Sequence, residues 1–425
     1  MATLTKDTHP VQASSTWRQN LAKAQVLSLL EKMPQGRLHV FLPDGQERIF
    51  GDGCADITAR IRVFSDEMFE RCIMFGDLGL AESYMDGLCD LQSIRSVVSW
   101  FLLNQDSPVL NESKRASKLL NLLALSNKLG HAMRPNSKKM SRKNIAEHYD
   151  LSNDFFRLFL DKTMTYSSGL FANEGTTLVE AQRAKFERAA QQLRISRKDR
   201  VLDLGCGWGG LSTYLAKTFG CSVTSLTISQ QQYESTKALI KAEGLEDLID
   251  LRLEDYRDHK GLYDKIVSIE MIEAVGDKYM DLFIEKVDSL LVKDGLLLFQ
   301  MITSADSRYE VLKSNVDFIQ KHIFPGSLLP SLARVNKSMI KCGDLFLVDL
   351  FDMTDSYVTT LKLWQDKFEA RLDDVRKMGF DERFIRKWRY YFEYCQAAFA
   401  MRNVSVVQAT YSRPNNRNLC RDWTK

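Results

Sequence analysis

The stretch RVLDLGCGWGGLSTYLAKTF, residues 200–219, constrains the fold more than any other part of this 425-residue chain. Residues 201–204 form an apolar, β-prone run interrupted by Asp203, and Gly205, Gly207, Gly209 and Gly210 come directly after it, ahead of a stretch with helical spacing. Glycines here let the chain turn tightly and let a ligand approach the backbone. The same grammar recurs downstream, where SVTSLTIS precedes QQQYESTKALIKAEG and two more apolar runs, YDKIVSIEMIEAV and GLLLFQMI, follow. Strands alternating with helices predict an α/β fold, with a parallel sheet covered by helices on both faces.

The spacing of the loop narrows its ligand. GxGxG lacks the sixth-position glycine of a dinucleotide fingerprint and the Gly-Lys-Ser/Thr of a phosphate loop. Asp203 at the strand end would repel a phosphate, whereas a sulfonium with an amino-acid tail suits its charge. The motif resembles the first motif of S-adenosylmethionine-dependent methyltransferases. The second strand ends at Thr227 rather than at an acidic residue, and Gln232 follows; their hydroxyl and amide can hydrogen-bond a ribose. Ser229 reads equally as the cap of the next helix. Asp255 offers an acceptor to an adenine amino group and Tyr256 an apolar wall, although a polar loop and a core aromatic account for them as well.

Around this unit the chain changes character. RLHVFLPDGQERIFG predicts two strands about a Pro-Asp-Gly turn, and ADITARIRV alternates as a half-buried strand does. Residues 65–125 show helical periodicity. Arg134, Lys138, Lys139, Arg142 and Lys143 then crowd a stretch without apolar periodicity. This divides the chain into an N-terminal α+β accessory domain (1–133), a basic linker (134–144) and a catalytic domain (145–425). The linker is either a solvated connection or a contact for anionic lipid headgroups. A formal charge of +3 with 27% charged residues gives no reason to expect nucleic acid as a partner. The eight cysteines form no zinc-ligand spacing, so no metal is expected. The absence of a secretory leader or a membrane-length apolar run predicts a cytoplasmic protein.

Five segments in one order, HYDLSNDFFRLFLDKTMTYSSGLF, VLDLGCGWGGL, LTISQQQ, EMIEAVG and IFPGSLLPS, resemble the cyclopropane fatty acid synthase family, which includes the mycolic acid methyltransferases. The resemblance spans most of 142–413, and FGDLGLAESYMDG resembles the accessory domain of longer members. It implies a seven-stranded, Rossmann-like class I methyltransferase that uses S-adenosylmethionine. Tyr166, Ser167, Asp203, Gly205, Gly207, Gly209, Thr227, Gln232, Asp255 and Tyr256 match its cofactor-contact positions.

The implied reaction is transfer of a methyl(ene) group to the cis double bond of an unsaturated phospholipid acyl chain. Implied too are peripheral contact with the inner face of the membrane and, plausibly for the family, a homodimer. Methylating an alkene creates a carbocation, so the site must be dry and lined by π-faces or carboxylates. A base then takes a proton. In many members that base is thought to be bicarbonate held by Cys, Glu, His and Tyr. Here Glu273 and Tyr357 match, but Ser168 replaces the Cys and Gln300 the His; serine and glutamine can still hydrogen-bond a bicarbonate, but the titratable thiol and imidazole are gone.

Glu270, three residues before Glu273, is a replacement candidate: the expectation is that Glu273, joined or not by Glu270, acts as base or cation stabiliser; the alternative makes Glu270 a helix-start residue. Cys395 lies where the family carries a cysteine sometimes given a catalytic role, although a buried thiol is the commoner reading. His148 opens the family motif. The predicted product is a cyclopropane fatty acid. The alternatives are a methylene- or methyl-branched chain, methylation of a small polar acceptor, and a non-catalytic protein that binds S-adenosylmethionine and lipid.

Overall fold

The computed structural model describes residues 15–54, 56–105 and 152–419. The basic linker, His148 and the boundary near residue 133 lie outside the described residues. The chain divides into two compact units, Met1–Leu125 and Ser126–Lys425.

In the first unit, helix α1 (Trp17–Leu30) opens with a capping box in which Thr16 and Gln19 exchange hydrogen bonds. Strands β1 (Arg37–Phe41) and β2 (Glu47–Phe50) form the expected hairpin, and β3 (Thr58–Val63) alternates exposed and buried residues as its sequence predicts. Helices α2 (Glu67–Phe75) and α3 (Asp77–Met85) follow. The expected helical run is then interrupted by a short strand, β4 (Cys89–Leu91), before α4 (Ile94–Asn104). Gly87, at φ 76°, breaks the helical path, and the Cys-Asp-Leu alternation pairs β4 antiparallel with β3. The sheet order is β2-β1-β3-β4.

The second unit begins with α5 (Asn153–Arg157) and α6 (Leu178–Gln192), then alternates β5 (Arg200–Leu204), α7 (Gly210–Phe219), β6 (Ser222–Thr227), α8 (Gln230–Ala242), β7 (Ile249–Leu253) and β8 (Tyr263–Ile269). It continues with α9 (Met280–Leu290), β9 (Leu291–Ser304), α10 (Tyr309–Ser314), α11 (Leu332–Cys342), β10 (Phe346–Asp352), α12 (Thr354–Glu369), α13 (Leu372–Lys377), α14 (Glu382–Ala400) and β11 (Val404–Ser412). The seven strands lie in the order β10-β11-β9-β8-β5-β6-β7. The sheet is mixed rather than wholly parallel, because β11 inserts between β9 and β10 and runs antiparallel to both.

Both faces of the sheet are covered, which is why its central strands are apolar without alternation. Along β9, Leu296 and Leu298 pack into one core with Phe186, Leu215 and Val267, whereas Leu297, Phe299 and Met301 pack into the other with Phe283, Ile284 and Tyr411. A third apolar mass joins α5 to α12 and α14. Phe155, fully buried, sits edge-on to Phe159, Phe368, Phe384 and Trp388 with ring centroids 4.8–6.3 Å apart. This mass anchors the segment that carries Tyr166 and Ser167. No helix among the described residues is long and apolar enough to cross a membrane.

Removing the hub ring leaves a cavity that its rigid aromatic neighbours cannot fill. Phe155→Ala is expected to cost about 3–5 kcal/mol, read as a lower denaturation midpoint by near-ultraviolet circular dichroism.

Candidate active site

The carboxyl ends of β5, β6 and β8 open onto a cavity of about 390 Å³, at the crevice where α/β sheets bind ligands. The glycine loop forms one wall. Gly205 (φ 83°) admits no side chain, because a Cβ there would lie 2.8 Å from Met271 Cγ. At Gly207 (φ 56°), which lines the cavity, a Cβ would meet nothing within 4 Å. The space beside its backbone is therefore open to a ligand. Gly209 does not line the cavity. It starts α7 at φ 82°, and a Cβ on it would strike Thr236 Cγ2 at 2.5 Å, so its part is close packing rather than the predicted cofactor contact.

The other nine predicted cofactor positions all line the cavity. Asp203 accepts from Ser212 Oγ (2.6 Å), and burial raises its carboxyl to about 6. Thr227 Oγ1 donates to Gln232 Oε1 (2.9 Å), which turns the Gln232 amide nitrogen toward other acceptors, and Ser229 caps α8. Asp255 is gripped by Arg257 through Nε (2.8 Å) and Nη2 (2.6 Å), with the Arg257 backbone N–H on Oδ1 as well (3.0 Å). Tyr256 meets Phe283 edge-on at 5.1 Å, and burial pushes its phenol up to about 12. Tyr166 donates to Tyr391 Oη (2.9 Å), and Ser167 Oγ accepts from the buried Lys185 Nζ (2.6 Å). A neutral, hydroxyl-rich and acidic lining beside an open glycine fits S-adenosylmethionine.

Glu270 is not a helix-start residue. It follows β8 at φ 48°, a conformation that costs a non-glycine residue strain and that clusters at functional sites. Its Oε1 accepts from the Ser168 N–H (3.0 Å) and from Gln300 Nε2 (2.7 Å), and its Oε2 accepts from Tyr357 Oη (2.7 Å). Three of the four positions that resemblance assigns to bicarbonate thus hold a protein carboxylate. Ser168 serves through its backbone, since its hydroxyl donates to Gly169 O (2.9 Å), and neither Ser168 nor Gln300 lines the cavity.

The fourth position, Glu273, accepts from the Ile302 N–H through Oε1 (2.5 Å), while its buried Oε2 has no hydrogen-bond partner among the described residues. Burial first, and the neighbouring Glu270 charge second, raise its carboxyl to about 8. Burial also raises Glu270, opposed by Lys185, Tyr357, Gln300 and Ser168. Two carboxyl groups this close separate their roles, one neutral and one ionised. Cys395 lines the cavity, and burial, with Asp317 beside it, raises its thiol far above neutrality, which favours the protonated form.

Lys185, Tyr391, Arg188 and Gln408 were not singled out in the sequence. Two signals were present. On α6 the buried stripe Leu178, Ala181, Gln182, Lys185, Phe186 and Ala189 puts an amide and an ammonium at core positions. Gln408 interrupts the apolar strand VSVVQATYS.

A side chain at Gly207 would occupy the open wall. Gly207→Val is expected to weaken S-adenosylhomocysteine binding at least about tenfold, about 1.4 kcal/mol, by isothermal titration calorimetry.

Comparisons with known proteins agree with this geometry. The family profile of mycolic acid cyclopropane synthetase matches residues 136–409. The tuberculostearic acid methyltransferase of Mycobacterium tuberculosis is 33% identical over 378 residues, covering 86% of this chain and 87% of its own. The cyclopropane-fatty-acyl-phospholipid synthase of Escherichia coli is 34% identical over 362 residues, covering 84% and 88%. The structure of mycolic acid cyclopropane synthase CmaA1 complexed with SAH and CTAB is 29% identical, with a TM-score of 0.59 over 64% of this chain and 98% of that one. These likenesses show the family: the chain belongs to the mycolic acid cyclopropane synthetase family and is a class I S-adenosylmethionine-dependent methyltransferase.

Proposed function

We propose that the protein methylates the cis double bond of unsaturated acyl chains in membrane phospholipids, with Glu270 as the proton acceptor. The observation that carries this reading is the cradle of Ser168 N–H, Gln300 and Tyr357 around the Glu270 carboxylate. S-adenosylmethionine supplies an electrophilic methyl group when bound. The site's own residues do the rest. Ile319, Phe324, Leu328, Tyr391 and Phe399 line the cavity with apolar and aromatic surface that orients an uncharged alkene and excludes water from a cation. The alkene π pair would bond to the methyl carbon as the carbon–sulfur pair leaves with the sulfur, so positive charge would develop on the adjacent alkene carbon, where an ionised Glu270 would stabilise it. Glu270 then takes a proton from the new methyl group, and the freed C–H pair closes a cyclopropane ring. Glu273, kept neutral, adds no second anion to trap the cation.

A second reading ends in a methylene branch: a hydride shifts between the two former alkene carbons before the same base removes the same proton. The replacement of two of the four bicarbonate positions by Ser168 and Gln300 favours it. Membrane contact through the basic segment 134–144 and the N-terminal unit, on the cytoplasmic face, completes the proposal.

Incubation with labelled S-adenosylmethionine and vesicles of cis-unsaturated phospholipid is expected to label the acyl chains. Hydrogenation or NMR distinguishes the isomeric products. Glu270→Gln is expected to lower kcat about 10²- to 10⁴-fold; normal turnover would place the base elsewhere. Because Glu273 must keep its proton, kcat is expected to fall as pH rises through about 8. Glu273→Gln, which cannot ionise, is expected to lose that alkaline limb in the pH–kcat profile.

A further inference from the structure

Gln300 presents an N–H to Glu270, yet a carboxamide has two ends of similar shape and opposite polarity. Turned over, it would set a carbonyl oxygen against the carboxylate. What fixes its direction lies two side chains away. Gln300 Oε1 accepts from Gln408 Nε2 (3.0 Å), Gln408 Oε1 accepts from Arg188 Nη1 (2.9 Å), and Arg188 Nη2 donates to Asp349 Oδ2 (2.6 Å). Gln300 and Gln408 are wholly buried and stand directly opposite each other where β9 pairs with β11. A guanidinium can only donate. Arg188 therefore demands the oxygen of Gln408, which turns the Gln408 nitrogen to the oxygen of Gln300 and the Gln300 nitrogen to Glu270. Longer contacts of Gln408 Nε2 with Lys185 O (3.3 Å) and of Gln300 Nε2 with Ser168 O (3.4 Å) support the same direction.

We propose that Arg188 is a positioning residue for the reaction: through Gln408 and Gln300 it aims a hydrogen-bond donor at Glu270 and keeps that carboxylate ionised. This rests on the reading of Glu270 as the base. The other groups facing Glu270 are Lys185 from α6, Tyr357 from α12, Tyr391 from α14 and Glu273 from the turn after β8, with Asp161 beside Lys185. Gln408 also donates to the Lys185 carbonyl (3.3 Å), so Arg188→Met, which leaves Gln408 in place and adds no negative charge beside Glu270, is the variant that reports on the relay alone.

Gln408→Glu tests the idea with little change of shape. A carboxylate at 408 accepts from Arg188 and also from Gln300 Nε2, which turns the Gln300 carbonyl toward Glu270 and draws a proton onto it. In the vesicle assay the ascending limb of the pH–kcat profile is expected to move up by about one unit or more, with kcat below that limb falling about tenfold per unit and KM unchanged. Arg188→Met, which frees both amides to turn over, is expected to move the limb the same way by less, and Arg188→Lys, still a pure donor, to restore it. An unmoved limb in Gln408→Glu and Arg188→Met overturns the proposal, and so does a loss of kcat that is equal at every pH. Should Gln408→Glu fail to melt cooperatively, the limb in Arg188→Met decides. Glu270→Gln measured alongside separates the two claims. Full turnover in Glu270→Gln removes the base itself, whereas an inactive Glu270→Gln with unmoved relay variants removes only the role of Arg188.

Discussion

Glu270 holds its carboxylate away from bulk solvent, and burying a charge costs several kcal/mol unless donors replace the lost water. The catalytic unit is arranged around that requirement. Donors reach the carboxylate from the 166–169 segment, from β9 and from α12, three elements far apart in sequence. Each must be placed to within a fraction of an ångström for the charge to be tolerated. The aromatic mass around Phe155 anchors the first, the two-faced core of the sheet fixes the second, and the packing of Tyr357 on Phe399, with ring centroids 4.5 Å apart, fixes the third.

The same low dielectric divides labour among acids that a solvated site would leave alike. Glu273 and Glu270 are three residues apart, yet the first has one hydrogen-bond donor and the second has three. Hydrogen bonds to the charged form favour it, and a neighbouring charge disfavours a second like it. Tyr357 and Cys395, both raised by burial, remain neutral hydrogen carriers. Within the Glu270–Glu273 pair the donors therefore favour the negative charge on Glu270 rather than on Glu273.

How far this was legible follows from the range of each interaction. Local chemistry was readable: glycines at a strand-to-helix turn, a capping serine, a Pro-Asp-Gly hairpin. The alternation of strand and helix from 200 to 304 stated the parallel part of the sheet. Strands β10 and β11 were not read, because FLVDLFD and VSVVQATYS follow no βα rhythm and lie on either side of three helices. The antiparallel insertion of β11 is a tertiary choice, made when its apolar residues cover β9. Within the site, residues in one motif were found and residues joined only by packing were not. The close packing of Gly209 on Thr236 was not legible, because a loop pattern does not tell which glycine approaches a neighbouring helix. Ser168 and Gln300 were recognised as departures, but what they hold was invisible without the fold.

The two departures and the extra carboxylate make physical sense as one change. A diffusible anion can be held by groups that also titrate, because the anion leaves and re-enters with its own protonation equilibrium. A tethered carboxylate cannot leave, so a donor that titrates near neutrality would add its own charge change to those of Lys185, lowered by burial to about 7, and Glu273, raised to about 8. An imidazole is such a donor, since its ordinary pKa lies between pH 6 and 7. An amide is not, but it brings a different problem, because its polarity depends on which way it is turned. Placing Gln300 opposite Gln408, with Arg188 at the far end, answers that problem with groups that keep their protons across the whole working range. The exchange of a titrating donor for an oriented one is thus the structural counterpart of building the base into the chain.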